Sequence, residues 1–157
     1  MFFRRKFNYR VSKYDLRFRI NGIYTRDEWT SIGDVGKYYE SKKFTLEQYI
    51  EVENNYVDFV EDCLRLLKVN SMKIIGFESR GYGCPYTNRQ RLYDKELLLS
   101  VVRDCLREKC WCRLIAPEMM ITFGYDYYLY IKCPLKSTVI FEIASNHNLF
   151  VEENLTW

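Results

Sequence analysis

Apolar residues recur at intervals of three and four from Leu46 onward, through Tyr49, Ile50, Tyr56, Val57, Val60, Cys63, Leu64 and Leu67. That is the period of an α-helix with one stripe facing a core. Its start is marked as well, because Thr45 and Gln48 have the spacing of a capping box and Phe44 with Tyr49 that of a hydrophobic staple. The pattern predicts a helix through about Lys68. A weaker form of the same signal stands upstream, where Thr25 and Glu28, flanked by Tyr24 and Trp29, predict a short helix limited by Gly33 and Gly36. Residues 1–70 are therefore expected to be mainly helical.

After Asn70 the pattern changes. The run MKIIGFES (72–79) has strand composition and ends at the turn-rich RGYGCPYTN (80–88). Asp94 then caps a second helix, with Leu97, Leu98, Val101, Val102, Cys105 and Leu106 on one face to about Glu108. CWCRLIA follows as a strand. Across residues 121–133, Phe123, Tyr125, Tyr127, Leu129, Ile131 and Cys133 alternate with Gly124, Asp126, Tyr128, Tyr130 and Lys132, the period of one long strand. Ser137 caps a short helix bearing Val139, Ile140, Ile143 and Ala144, and LFVEE (149–153) is a final strand.

The order from residue 72 onward is β-α-β-β-α-β, the split βαβ or ferredoxin-like arrangement, an α+β fold whose four-stranded antiparallel sheet carries both helices on one face. The N-terminal helices pack on this sheet, the helix of residues 46–67 covering its other face, since the strand of residues 125–133 has large side chains on both sides. One domain of 157 residues is expected, with a mainly helical part (1–70) and a split βαβ part (71–157).

Composition adds constraints. A chain that is 48% hydrophobic and 29% charged, without low-complexity tracts, has the makings of a folded core. No apolar run approaches the roughly 18 residues of a membrane span, and the start MFFRRKFNYR lacks a signal-peptide layout, so a cytoplasmic protein without a membrane partner is expected. In that compartment the six cysteines are read as reduced, largely buried thiols. The net charge of +3 is uneven: residues 1–20 hold seven Lys/Arg against one Asp, whereas residues 44–62 hold Glu47, Glu51, Glu53, Asp58, Glu61 and Asp62 and no basic residue. This reads as a basic arm and an acidic helix, each a binding surface or simply a solvated face.

Catalytic constellations are scarce. A single histidine, His147, removes most nucleophile and metal arrangements, since Ser-His-Asp, Cys-His and His-rich zinc sites all need His in a defined geometry, and its place at a helix end suits an interaction with the last carbonyls. Cys110 and Cys112 share one side of a strand, but no second pair stands at ligand spacing, so neither metal nor cofactor is expected. Glu53 falls on the apolar stripe and needs a partner there; a tyrosine hydroxyl or a basic side chain is favoured over an acid–base role. Gly81, Gly83 and Arg80 sit in a loop without a GxxxxGK[ST] or GxGxxG motif, so the glycines supply turn geometry, with Tyr82 and Tyr86 free to touch a partner. No enzyme activity is expected.

The basic arm and tyrosine-rich strand raise an alternative, an RNA-binding module of ferredoxin-like type. Against it, ITFGYDYYLY lacks the aromatic order of an RRM strand, and Asp126 puts negative charge in the surface RNA would use, so nucleic acid is not the expected partner.

Five blocks, YTRDEWTSIGDVG (24–36), FTLEQYIEVENNYVDFV (44–60), LREKCWCRL (106–114), FGYDYYLYI (123–131) and LFVEE (149–153), together resemble a family of small bacterial immunity proteins that protect cells from polymorphic or contact-dependent growth inhibition toxins. They cover about a third of the chain, and none is a catalytic motif. The resemblance implies a cytosolic protein that binds a cognate toxin C-terminal domain, often a nuclease, and blocks its active site or substrate groove. An acidic helix suits a groove lined with Lys and Arg. Charge and expected exposure select Glu47, Glu51, Asp58, Glu61 and Asp62 as the partner-binding face, with Asp126 and Tyr128 as a second patch.

Overall fold

The structure, a computed structural model, describes residues 5–153. In chain order it runs β1 (Phe7–Ser12), two small hairpins β2 (Arg19–Ile20) with β3 (Ile23–Tyr24) and β4 (Tyr38–Tyr39) with β5 (Lys42–Lys43), then α1 (Leu46–Leu66) and β6 (Met72–Ser79). There follow β7 (Arg91–Leu92), α2 (Lys95–Leu106), β8 (Cys110–Ile115), β9 (Met120–Phe123), β10 (Leu129–Cys133), α3 (Ser137–Asn146) and β11 (Phe150–Glu153). One seven-stranded sheet has the order β11-β1-β10-β9-β8-β6-β7, with every neighbouring pair antiparallel. The fold is α+β, as expected, but it is not a four-stranded ferredoxin-like sheet with N-terminal helices.

Three local features make the difference. The two-residue strand β7 reverses the chain before α2, so α2 joins β7 to β8 across β6, and β6 and β8 become antiparallel neighbours. A ferredoxin-like sheet needs the helix to lead straight from one strand to a parallel one. Residues 121–133 also do not form one strand: Asp126 (φ 56°) and Tyr127 (φ 67°) are left-handed, and the chain folds into a β9–β10 hairpin closed by Gly124 N–H donating to the Tyr128 carbonyl at 2.9 Å. Asp tolerates that conformation; Tyr does not ordinarily. Packing holds it there, since the Tyr127 ring is buried in edge contact with Trp29, Tyr49 and Tyr56, and its hydroxyl donates to that of Tyr49 at 3.0 Å.

The third feature is the N-terminal segment. It is no free arm and not mainly helical: β1 pairs with β10 on one side and β11 on the other, while α3 passes over it to connect those two strands. The charges are used in place. Arg10 and Arg19 bind Glu152, Lys13 binds Glu28 and Arg17 binds Asp15. Residues 1–4 of the expected arm lie outside the described residues. The short helix expected after Thr25 is absent because its capping groups are taken: the Thr25 hydroxyl donates to the Phe18 carbonyl, and the Glu28 carboxylate accepts from Lys13 and Tyr24. A single 3-10 turn forms later, at Ile32–Asp34, behind a capping box made by Ser31 and Asp34.

α1 begins as the pattern predicts. Thr45 and Gln48 exchange side-chain to backbone bonds at 3.0 and 3.2 Å. The helix packs against both α2 and α3, so all three form one layer instead of sandwiching the sheet. Tyr9, Val11, Ile74, Cys112, Leu114, Ile121, Leu129 and Ile131 make up the covered side of the sheet, and all are buried. The other side carries Asn8, Arg10, Lys73, Arg113 and Lys132, side chains that water can solvate. Asp94 caps α2 through Glu96 N–H, whereas Lys136, one residue before Ser137, is the N-cap of α3.

Charged contacts tie the helices together. Glu53 is fully buried on α1 and accepts from Arg103 at 2.8 Å and from Arg107 at 2.6 and 2.8 Å, both on α2. Burial pushes this carboxyl up, but the guanidinium bonds outweigh that and hold it below the usual glutamate range. His147, at the end of α3, brings Nε2 to 2.6 Å from Asp62 on α1, besides capping the helix through its backbone. Among the described residues, no helix is long and apolar enough to cross a membrane.

Candidate functional site

The exposed face of α1 gathers most of the residues expected to bind a partner. Glu47, Glu51 and Asp58 stand along one side at helical spacing, all exposed, and none has an ion-pair partner among the described residues. Flanking them on the helix surface are Leu46 and Ile50, 51% and 38% exposed, a high value for aliphatic side chains on a helix already packed by its opposite face. Glu61 and Asp62 share the helix but are occupied: Lys95 of α2 donates to Glu61 at 2.7 Å, and Asp62 is bound by Arg65 and His147. Those bonds outweigh partial burial and hold the Asp62 carboxyl below its ordinary range.

Asp126 and Tyr128 sit elsewhere, on the turn between β9 and β10. The Asp126 carboxylate is exposed while its backbone carbonyl accepts from Tyr14 at 2.6 Å. Tyr128 is committed: its hydroxyl accepts from Arg19 at 2.7 Å, and the Arg10 guanidinium lies 4.5 Å from its ring centroid. The structure thus brings Glu47, Glu51 and Asp58 together, diverts Glu61 and Asp62 into ion pairs, and leaves only the Asp126 charge available in the second patch.

A cleft of about 440 Å³ adjoins the acidic face at Glu51, lined also by Lys13, Glu28, Trp29, Phe44 and Asn55. Trp29 and Phe44 stack with ring centroids 4.7 Å apart, which sets one wall. Lys13, just past β1, has a side chain only 5% exposed; its Nζ lies 4.1 and 4.2 Å from the ring centroids of Tyr14 and Trp29 and donates to Glu28 at 2.7 Å. Desolvation lowers this ammonium to about 8 even against the pull of Glu28. An amine near neutrality can act as a nucleophile. Here two rings and a carboxylate enclose it, so it serves as a cation–π clasp that holds the cleft wall.

Sequence reasoning assigned no role to Lys13 and read Glu28 only as a cap. The signal that bears on them is the alternation of Phe7, Tyr9 and Val11 with Asn8, Arg10 and Ser12, which marks the strand that delivers Lys13 to the cleft. The other candidates resolve into packing. Cys105 Sγ lies 3.8 Å from that of Cys110 and 3.7 Å from that of Cys112 inside the core. Among the described residues no three His, Cys, Asp or Glu side chains are placed to hold a metal ion. Tyr86 is buried, with its hydroxyl on Asp104 at 2.7 Å, so Tyr82 is the loop tyrosine open to a partner.

Comparison with known proteins finds no matching family model, no similar curated protein and no matching solved structure.

Proposed function

We propose that this chain is a cytoplasmic immunity protein that binds a cognate toxin C-terminal domain, a nuclease in the reading favoured here, and blocks its active site or substrate groove without catalysis. The observation that carries the proposal is the row of carboxylates Glu47, Glu51 and Asp58, without an ion-pair partner among the described residues, with exposed Leu46 and Ile50 beside them. Like charges with no ion-pair partner among the described residues repel one another and are relieved by a basic partner, although Glu51 shares its cleft with Lys13, Lys42 and Lys43. A groove that binds nucleic acid supplies Lys and Arg in that density. The aliphatic side chains add the dry contact that long-range attraction lacks, and the cleft beside Glu51 offers a pocket for one anchoring side chain. The capping box and the buried Glu53 pairs keep α1 rigid, which lowers the ordering cost of binding. The resemblance of five sequence blocks to immunity proteins supports the same reading.

The test is co-expression with the toxin domain encoded by the neighbouring gene. Growth is expected to be rescued by the native chain and not by a Glu47→Lys/Glu51→Lys/Asp58→Lys variant. Toxicity undiminished by the native chain would overturn the proposal.

A further inference from the structure

The sheet face turned away from the helices has a chemistry of its own, opposite in sign to that of α1. The strand register sets Asn8, Lys132, Met120, Ile115 and Lys73 in one row across β1, β10, β9, β8 and β6. Arg10, Tyr130 and Thr122 form the next row, and Arg113 stands opposite Ile75. Lys73, Arg113 and Lys132 have no ion-pair partner among the described residues. Glu152 in the second row is neutralised by Arg10 at 2.5 Å and Arg19 at 3.2 Å, which leaves Glu78, at the far end of β6, as the uncompensated acid of these strands among the described residues.

Two of the aromatic rings on this face each stand over a glycine. A Cβ at Gly124 would meet Tyr130 Cε2 at 2.5 Å, so only glycine leaves room for that ring; a Cβ at Gly76 would lie 3.5 Å from Trp111 Cζ3. The Trp111 Nε1–H donates to the Phe123 carbonyl at 2.8 Å, which fixes the indole in place. Beside it, at the end of the sheet, opens a hollow of about 340 Å³ whose rim carries Arg80, Gly124 and Tyr125, the last 82% exposed, together with the carboxylates of Glu78 and Glu108, and whose floor reaches Cys105, Cys110 and Phe123. Asp126, whose charge argued against a nucleic-acid surface when residues 121–133 read as one strand, is instead on the β9–β10 turn and outside these rows.

We propose that this open face binds a single-stranded nucleic acid, with Lys73, Arg113 and Lys132 on the phosphates and Trp111 and Tyr130 as stacking platforms. Cations in rows attract a polyanion of either form, but rings standing on a sheet reach only bases that are already unpaired, which selects single strands over duplex. The proposal is independent of the α1 face and of any toxin, so failure of one leaves the other standing. With three phosphate contacts the affinity should fall with salt at a logarithmic slope of about −2, roughly fifteenfold between 50 and 200 mM.

The experiment is fluorescence anisotropy of a labelled twelve-nucleotide oligo(U) titrated with the full chain at both salt concentrations. Expected are binding at 50 mM, the stated salt loss, at least tenfold weakening by Arg113→Gln/Lys132→Gln, and little change from Lys42→Gln/Lys43→Gln, which removes the same charge from an exposed hairpin. Trp111→Leu should weaken binding roughly tenfold with the salt slope unchanged, provided its circular dichroism is native. No binding at 50 mM, equal weakening by the two Gln pairs, or equal affinity for a duplex of the same length would each overturn the proposal.

Discussion

Substituting Arg107 with Ala removes two of the three guanidinium bonds to the buried Glu53 carboxylate, those at 2.6 and 2.8 Å, and leaves the Arg103 bond at 2.8 Å. The Glu53 side chain is 0% exposed, so water cannot replace what is lost. Breaking a buried pair from one side costs about 3–5 kcal/mol, and because Arg103 remains, the lower end, about 3 kcal/mol, is expected. Glu53→Gln acts from the other side. It removes the buried charge, and both arginines, 36% and 29% exposed, can turn toward solvent, so about 1–2 kcal/mol is expected.

The order of the two costs is the diagnostic, since a stranded charge is penalised more than a lost contact. Urea unfolding followed by tryptophan fluorescence measures both; at a slope of about 2 kcal/mol per molar, the Arg107→Ala midpoint should drop by about 1.5 M. The pH dependence follows from the same bonds. The folded carboxyl titrates below its unfolded value, so its stabilisation is complete above the ordinary glutamate pKa of about 4.3 and is lost as pH falls through the folded value. Glu53→Gln should flatten that acid limb. An Arg107→Ala cost below about 0.5 kcal/mol, the scale of a surface substitution, or a larger cost for Glu53→Gln would refute the reasoning.

Other substitutions probe separate parts of the structure. The Tyr56 hydroxyl accepts from Lys13 N–H at 2.7 Å and donates to the Tyr127 carbonyl at 2.8 Å in a fully buried site, so Tyr56→Phe should cost about 1–3 kcal/mol in urea unfolding. Gly124→Ala forces the Tyr130 ring aside, with an expected loss of about 1–3 kcal/mol by the same measurement. Lys13 titrates near 8 when folded and near 10.4 when unfolded, so the unfolded chain binds the extra proton between those values and this group's contribution to stability rises with pH across that window. Lys13→Met should remove the rise, read as urea midpoints from pH 7.5 to 9.5.

Elements whose local pattern agrees with their packing were readable from the chain. α1 and α2 have a helical period and a recognisable start, β6, β8 and β11 have strand composition even though β6 carries a bulge between Ile75 and Glu78, and the spacing of Glu47, Glu51 and Asp58 already places them on one helix face. The rest depends on contacts distant in sequence. Arg10 and Lys13 make β1 resemble a solvated arm until Glu152 and Glu28 meet them. β7 is two residues long, too short for any period to register, yet it sets the sheet topology. The β9–β10 turn places Tyr127, a poor residue for a left-handed backbone, at its corner because Trp29, Tyr49 and Tyr56 bury the ring. Likewise, nothing local indicates that Lys95 and His147 will occupy Glu61 and Asp62.

The acidic face of α1 is tested most directly by the binding kinetics of the purified chain with the toxin domain of the neighbouring gene, measured at low and physiological salt. The native chain should form a complex whose association slows as salt is added, and Glu47→Lys/Glu51→Lys/Asp58→Lys should weaken it by at least a hundredfold while unfolding at the native urea midpoint. Failure of the native chain to bind, or a triple variant that binds as tightly as the native chain, would contradict the assignment of that face.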